Sequence, residues 1–108
     1  MKYLCLIYLD ENQPAAMEAN EGDMRGAHLV AAAALEPVQG GACVRVRQGR
    51  AMVSEAPHVR GAEVVAGFCL ISARDLNEAI QVASDIPAAS RGSVEVRPCR
   101  DLEIQLPR

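Results

Sequence analysis

Aromatic residues are almost missing from this sequence, which has no Trp, one Phe and two Tyr among 108 residues. Surfaces that bind single-stranded nucleic acid stack bases on such rings among clustered basic side chains. Here ten Arg and one Lys are scattered among fourteen carboxylates, for a net charge of −3, so no nucleic-acid partner is expected. Long apolar runs are missing too. The longest, Leu4 to Leu9 and Leu29 to Leu35, fall far short of the roughly 20 residues that cross a bilayer. No charged-then-apolar leader opens the chain, so a cytoplasmic protein with no membrane contact is expected. Clustered metal ligands are a third absence. Cys5, Cys43, Cys69 and Cys99 form no C-x-x-C pair, and His28 and His58 are the only imidazoles. No zinc site, no other cofactor and no disulfide is expected, and the cysteines read as buried free thiols.

What is present is mostly small. Hydrophobic residues make up 50% of the chain, but 18 residues are alanine, with little area to bury. The length predicts a single domain over residues 1–108 with a thin core. A domain of this size buries roughly two-thirds of its unfolded surface, and a thin-cored one often completes its burial against a second copy.

Lys2 to Leu9 (KYLCLIYL) is apolar at odd and even positions alike, which predicts a central strand buried on both faces. Pro14 to Arg25, closed by Gly26, reads as a short helix. Ala27 to Glu36 is ambiguous: Ala31 to Ala34 favour helix by propensity, but polar spacing is lacking and Pro37 follows. Ala42 to Glu55 reads as a β-hairpin turning at Gln48-Gly49-Arg50, with Val44 and Val46 on one face and Arg45 and Arg47 on the other. Val64 to Ser72 is a second continuously apolar strand. Asp75 then caps a helix with Glu78 reaching back, and Leu76, Ala79, Ile80, Ala83 and Ile86 mark its buried face. Pro87 and Gly92 end that helix, and Ser93 to Pro98 alternates as a strand. Met17, Met24 and Met52 read as core filler.

This order predicts an α+β domain of ferredoxin-like character, with an antiparallel sheet and helices on one face. Two short helices cover one face, whereas two of the strands are apolar on both. The simplest cover for the other face is the same sheet of a second subunit, giving a homodimer closed like a barrel.

The segments MKYLCLIY, VRVRQGR, AGFCLI, ASDIPAASRGSVEVRP and RDLE, in that order, resemble the DGPF-domain proteins of the YCII-related superfamily. The resemblance implies a ferredoxin-like fold pairing as a dimeric α/β barrel. It also implies a kinship with largely uncharacterised bacterial proteins, often encoded beside extracytoplasmic-function sigma factors. In the wider superfamily a His and an Asp form a proposed catalytic pair, and the relatives with known chemistry act on small ring compounds. A small-molecule pocket is therefore implied. The chain departs from the family at its name-giving Asp-Gly-Pro-Phe, where Glu55-Ala56-Pro57-His58 keeps the acid and the proline only. It also has Ala31 to Ala34 where a Gly-Gly-Glu is usual, and by that register Leu29 to Leu35 is the second strand.

The loop from Glu55 to Glu63 gathers two carboxylates, His58 and Arg60 within nine residues. A histidine oriented by a carboxylate is a general base near neutral pH. Glu55 and His58 are thus the candidate catalytic pair, with Arg45 or Arg60 holding an anionic or aromatic ligand and Glu63 beside them. The plainer reading has Glu55 capping loop amides and His58 in solvent. His28 is the alternative catalytic residue if it aligns with the superfamily histidine, with Asp10 or Glu55 as partner; under the strand register it merely begins a strand. Asp10 either lines a pocket or caps the next helix. Arg45 and Arg47, with Arg97 across the sheet, form either an anion pocket or a solvated stripe. Tyr3 and Tyr8 have opposite parity, so only one of them faces a given pocket. The competing functional class is a non-catalytic ligand-binding or regulatory module acting through a protein partner, and a purely structural dimer is the third.

Overall fold

The run KYLCLIYLD forms strand β1, Lys2–Asp10, and its burial alternates along its whole length. In the computed structural model, which describes residues 1–10, 27–36, 40–55 and 63–101, Tyr3, Cys5, Ile7 and Leu9 are buried on one face. Leu4, Leu6, Tyr8 and Asp10 are half-buried on the other. Strand β5, Glu63–Ser72, lies antiparallel to β1 on one side, and β6, Ser93–Pro98, antiparallel on the other. Strand β2, His28–Ala34, adds to the outer edge of β5, giving the order β2-β5-β1-β6. Because β5 and β6 both oppose β1, they run parallel to each other with β1 inserted between them. The helix α1, Leu76–Ser84, makes the crossover, so β5-α1-β6 is a split βαβ unit.

Strand is what the ambiguous alanine segment becomes. The helix preference of an alanine is worth only tenths of a kcal/mol over most other residues, and the ladder to β5 outweighs it, continuing into a bond from the Leu35 amide to the Ala66 carbonyl of 2.8 Å. The register slips between Leu29 and Ala31, a bulge that leaves Val30 exposed. The segment Pro14 to Arg25, read as a helix, lies outside the described residues, as do Met17 and Met24.

The helix cap forms as read. Asp75 accepts from the Glu78 amide at 2.9 Å, while the Glu78 carboxylate reaches one residue further back than expected, to the Arg74 amide at 3.0 Å. These bonds hold the Asp75 carboxyl below its ordinary value of 3.8: the Glu78 amide contributes most, the Arg74 side chain next. The buried face differs from the expected one. Ala79, Val82 and Ala83 are buried, but Leu76 and Ile80 are 44% and 46% exposed. The sheet under α1 takes the stripe through positions 79, 82, 83 and 86, a rotation of the expected stripe that keeps small side chains close to β1. There they join Tyr3, Cys5, Cys69 and Ile71 in one core cluster. A 3-10 turn, Pro87–Ser90, carries Ala88 into a second cluster with Ile7, Leu9 and Ala66.

The hairpin is a separate two-stranded sheet, β3 at Ala42–Arg47 and β4 at Arg50–Glu55. Gln48 and Gly49 both take positive φ, 52° and 74°, as a two-residue type I′ turn requires. Val44, Val46 and Val53 stay on one face and Arg45 and Arg47 on the other, as their alternation predicts. Met52 is exposed rather than core filler. Arg97 sits on β6 of the main sheet, so it does not lie across a shared sheet from Arg45 and Arg47.

All four cysteines are free. Cys5 and Cys69 are buried and directly opposed on β1 and β5, whereas Cys43 is half-buried and Cys99 exposed, which corrects the expectation that all are interior. No described helix is long and apolar enough to cross a membrane.

Candidate functional site

One end of the open sheet face collects a group of polar side chains. Asp10 closes β1 directly opposite Glu63, the first residue of β5. Tyr8 stands opposite Ser93 on the other side. Alternation sends all four, and Glu95 of β6, to the face away from α1. Ser93 donates from its hydroxyl to Glu63 Oε2 at 3.1 Å, and Tyr8 donates from Oη to Glu95 Oε1 at 3.0 Å. The bond to Glu95 pushes the Tyr8 phenol above its ordinary 10.0, so Tyr8 is a neutral donor at any physiological pH; Arg97, on the same face, acts weakly in the opposite direction. Three carboxylates, a phenol and a hydroxyl thus share one end of the sheet. The group can orient a polar small molecule, and an anionic one there has to be met by arginine.

The candidate residues divide over this frame. Asp10 and Glu63 come together. His28 begins β2 opposite Ser72, which also faces Lys2, so it lies at the other end of the sheet from Asp10. Eight residues of strand, about 27 Å, separate the two ends, and a His28–Asp10 pair does not form within one chain. Glu55 closes β4 opposite Ala42, on the hairpin face opposite to that of Arg45, which pairs with Met52. His58 and Arg60 lie outside the described residues, in the stretch joining Glu55 to Glu63. The Tyr8–Glu95 and Ser93–Glu63 contacts are the part that residue patterns missed. Each joins separate strands, and only the register of β1 against β5 and β6 brings them together.

The interior face of the same strands offers a different chemistry. Cys5 and Cys69 share a hydrogen bond that, together with burial, pushes the Cys5 thiol well above its ordinary 9.0. It stays protonated and unreactive as a nucleophile.

Comparison with known proteins agrees with the resemblance drawn from the sequence. The YCII-related domain matches residues 1–103. An uncharacterised protein of Rhizobium meliloti (strain 1021) is 31% identical over 113 aligned positions, covering 91% of this chain and 91% of that protein. A match spanning nearly the whole sequence, on an antiparallel α+β fold, places the chain in the YCII-related domain family.

Proposed function

We propose that this YCII-type chain is a cytoplasmic, ferredoxin-like homodimer, closed sheet to sheet as a barrel, that holds a small anionic or aromatic molecule and performs acid–base chemistry on it. In this reading His58 accepts a proton, Glu55 orients it, Arg45 or Arg60 holds the anionic group, and Asp10 and Glu63 line the pocket. The observation that supports it is the Asp10–Glu63 pairing at the end of the open face. The stretch carrying His58 and Arg60 ends at that pairing, with His58 five positions before Glu63. The strand order and the split βαβ unit support the ferredoxin-like description. Leu4, Leu6, Phe68 and Leu70, half-buried on the face away from α1, support a second copy as its cover.

One observation favours the non-catalytic alternative, a ligand-binding or regulatory module. Every residue of β4 is exposed, Glu55 included, and an exposed hairpin strand does not hold a carboxylate in the fixed geometry that proton transfer needs.

Titration with benzoate and salicylate, followed by melting temperature and calorimetry, tests both readings. Binding that Arg45→Ala or Arg60→Ala weakens at least about tenfold, the loss of one charge-assisted hydrogen bond, places the anionic group at that arginine. Absence of binding by the unmodified protein refutes the pocket. A ligand related to these that is bound but recovered unchanged, with no replacement of its carbon-bound protons by solvent deuterium in NMR, favours the non-catalytic module.

A further inference from the structure

The open face of the main sheet has a basic side that the pocket proposed above does not use. The middle of this face is apolar. Leu4 opposes Leu70 and Leu6 opposes Phe68, all four half-buried on the side away from α1. Beyond Leu70 and Phe68 lie Ala31 and Ala33 of β2, so the apolar seat is bounded there by small side chains. On its other flank runs β6, with Arg97 opposite Leu4 and Glu95 opposite Leu6. Lys2 precedes Leu4 on the same face, opposite Ser72. None of the ion pairs among the described residues involves Arg97 or Lys2. Tyr8, two positions beyond Leu6, leans back along this row, since its Oη donates to Glu95 at 3.0 Å. The face thus holds two cations without a carboxylate partner at one end of the seat and a phenol oxygen at the other.

We propose that this face is an aromatic-carboxylate site: the ring lies on Leu4, Leu6, Phe68 and Leu70, the carboxylate meets Arg97 with Lys2 beside it, and a para hydroxyl meets the Tyr8–Glu95 pair. The inference rests on the small-molecule ligand proposed above and deepens it, placing the cation on the main sheet instead of on the hairpin or the loop. Spacing selects the class. Arg97 and Glu95 are two residues apart on one strand face, about 7 Å, close to the span from the carboxylate to the para oxygen of a single benzene ring. A guanidinium matches a carboxylate with two parallel N–H bonds, and the aliphatic seat removes the ring from water. The Tyr8 hydrogen is committed to Glu95, so the phenol oxygen and the Glu95 carboxylate can only accept at that end. A ligand hydroxyl satisfies them, whereas an ether does not and a second carboxylate is repelled. In the proposed dimer the partner's sheet covers the ring without having to supply the cation.

Calorimetry on the full chain with benzoate, 4-hydroxybenzoate and 4-methoxybenzoate tests this. Arg97→Ala is expected to weaken benzoate and 4-hydroxybenzoate at least about tenfold, the loss of a charge-assisted contact, with partial recovery in Arg97→Lys. Arg45→Ala and Arg60→Ala are expected to leave both affinities unchanged. Tyr8→Phe is expected to weaken 4-hydroxybenzoate about fivefold, one neutral hydrogen bond, and to leave benzoate unchanged. Arg97 is exposed, so its variants are expected to keep the circular dichroism spectrum and the light-scattering mass of the unmodified protein. Binding that survives Arg97→Ala overturns this site and leaves the ligand reading above standing. Weakening that comes with a change of mass assigns Arg97 to the subunit interface and overturns the site as well. A 4-methoxybenzoate that binds as tightly as 4-hydroxybenzoate overturns the hydroxyl end. An unmodified protein that binds none of the three overturns both the site and the reading it rests on.

Discussion

At Gly92 the backbone of the chain passes so close to β1 that a Cβ would collide with the Tyr8 carbonyl oxygen and press on the Leu9 side chain. The obstacle is backbone, which cannot rotate aside, so Gly92→Ala is expected to cost about 1–3 kcal/mol, read as a lower denaturation midpoint in urea. In the sequence this glycine looked like a helix stop. Its role is an approach distance, which depends on where β1 lies and not on its neighbours. The same holds for Tyr8: parity separated it from Tyr3, but its bond to Glu95 required the β1-β6 register. Asp75 is the opposite case, since its cap is made with a residue three positions away and was legible from the sequence. Its carboxyl is held low by the Glu78 amide, so its folded pKa lies below its unfolded one. The cap's charged form therefore stabilises the fold above the ordinary carboxylate value, and that contribution is lost as pH falls through the lowered pKa.

Among elements, α1 separates what periodicity decides from what packing decides. A 3.6-residue repeat identified a helix from Asp75 onward, but two overlapping stripes satisfied it, one through Leu76 and Ile80 and one through Ala79, Val82 and Ala83. The sheet selected the second, burying Val82 to 3% and leaving Ile80 at 46%. Val82→Ala is accordingly expected to cost about 1–3 kcal/mol and Ile80→Gln less than about 0.5 kcal/mol in matched urea titrations; the reverse order would restore the first stripe. Segment β2 shows the same competition with the opposite local preference. Its alanines favour helix, and only the edge of β5 makes them a strand. The hairpin and its facing were legible because the alternation is local; the turn is one residue shorter than read, with positive φ at Gln48 and Gly49 and Arg50 already in β4.

For the molecule as a whole, the two apolar faces of β1 and β5 are the organising fact. One is filled by α1 and the 3-10 turn, and the other carries Leu4, Leu6, Phe68 and Leu70 half-buried. In the proposed homodimer this second face is interface, so a charge there should act on association before folding. Leu6→Asp is expected to yield monomers with a near-unchanged circular dichroism spectrum, measured by light scattering. A variant that stays dimeric would move the interface off the sheet. Membership of the YCII-related family was also legible at this scale, because order and spacing of segments along the chain carry it. The candidate site was legible only in part. Asp10 and Glu63 were both singled out, but nothing local indicated that they face each other, or that His28 lies at the far end of the sheet.

The sequence by itself determined the α+β class, the strands at β1, β5 and β6, the hairpin with its facing, the Asp75 cap and the family. Each of these rests on interactions within a few residues or on a pattern running along the chain. Only the tertiary structure decided the strand identity of the alanine segment, the face of α1 that is buried, the thiol pairing of Cys5 with Cys69 and the gathering of Tyr8, Asp10, Glu63, Ser93 and Glu95. These depend on sheet register. A register joins residues remote in the chain, and a shift of one residue would send each of those side chains to the opposite face.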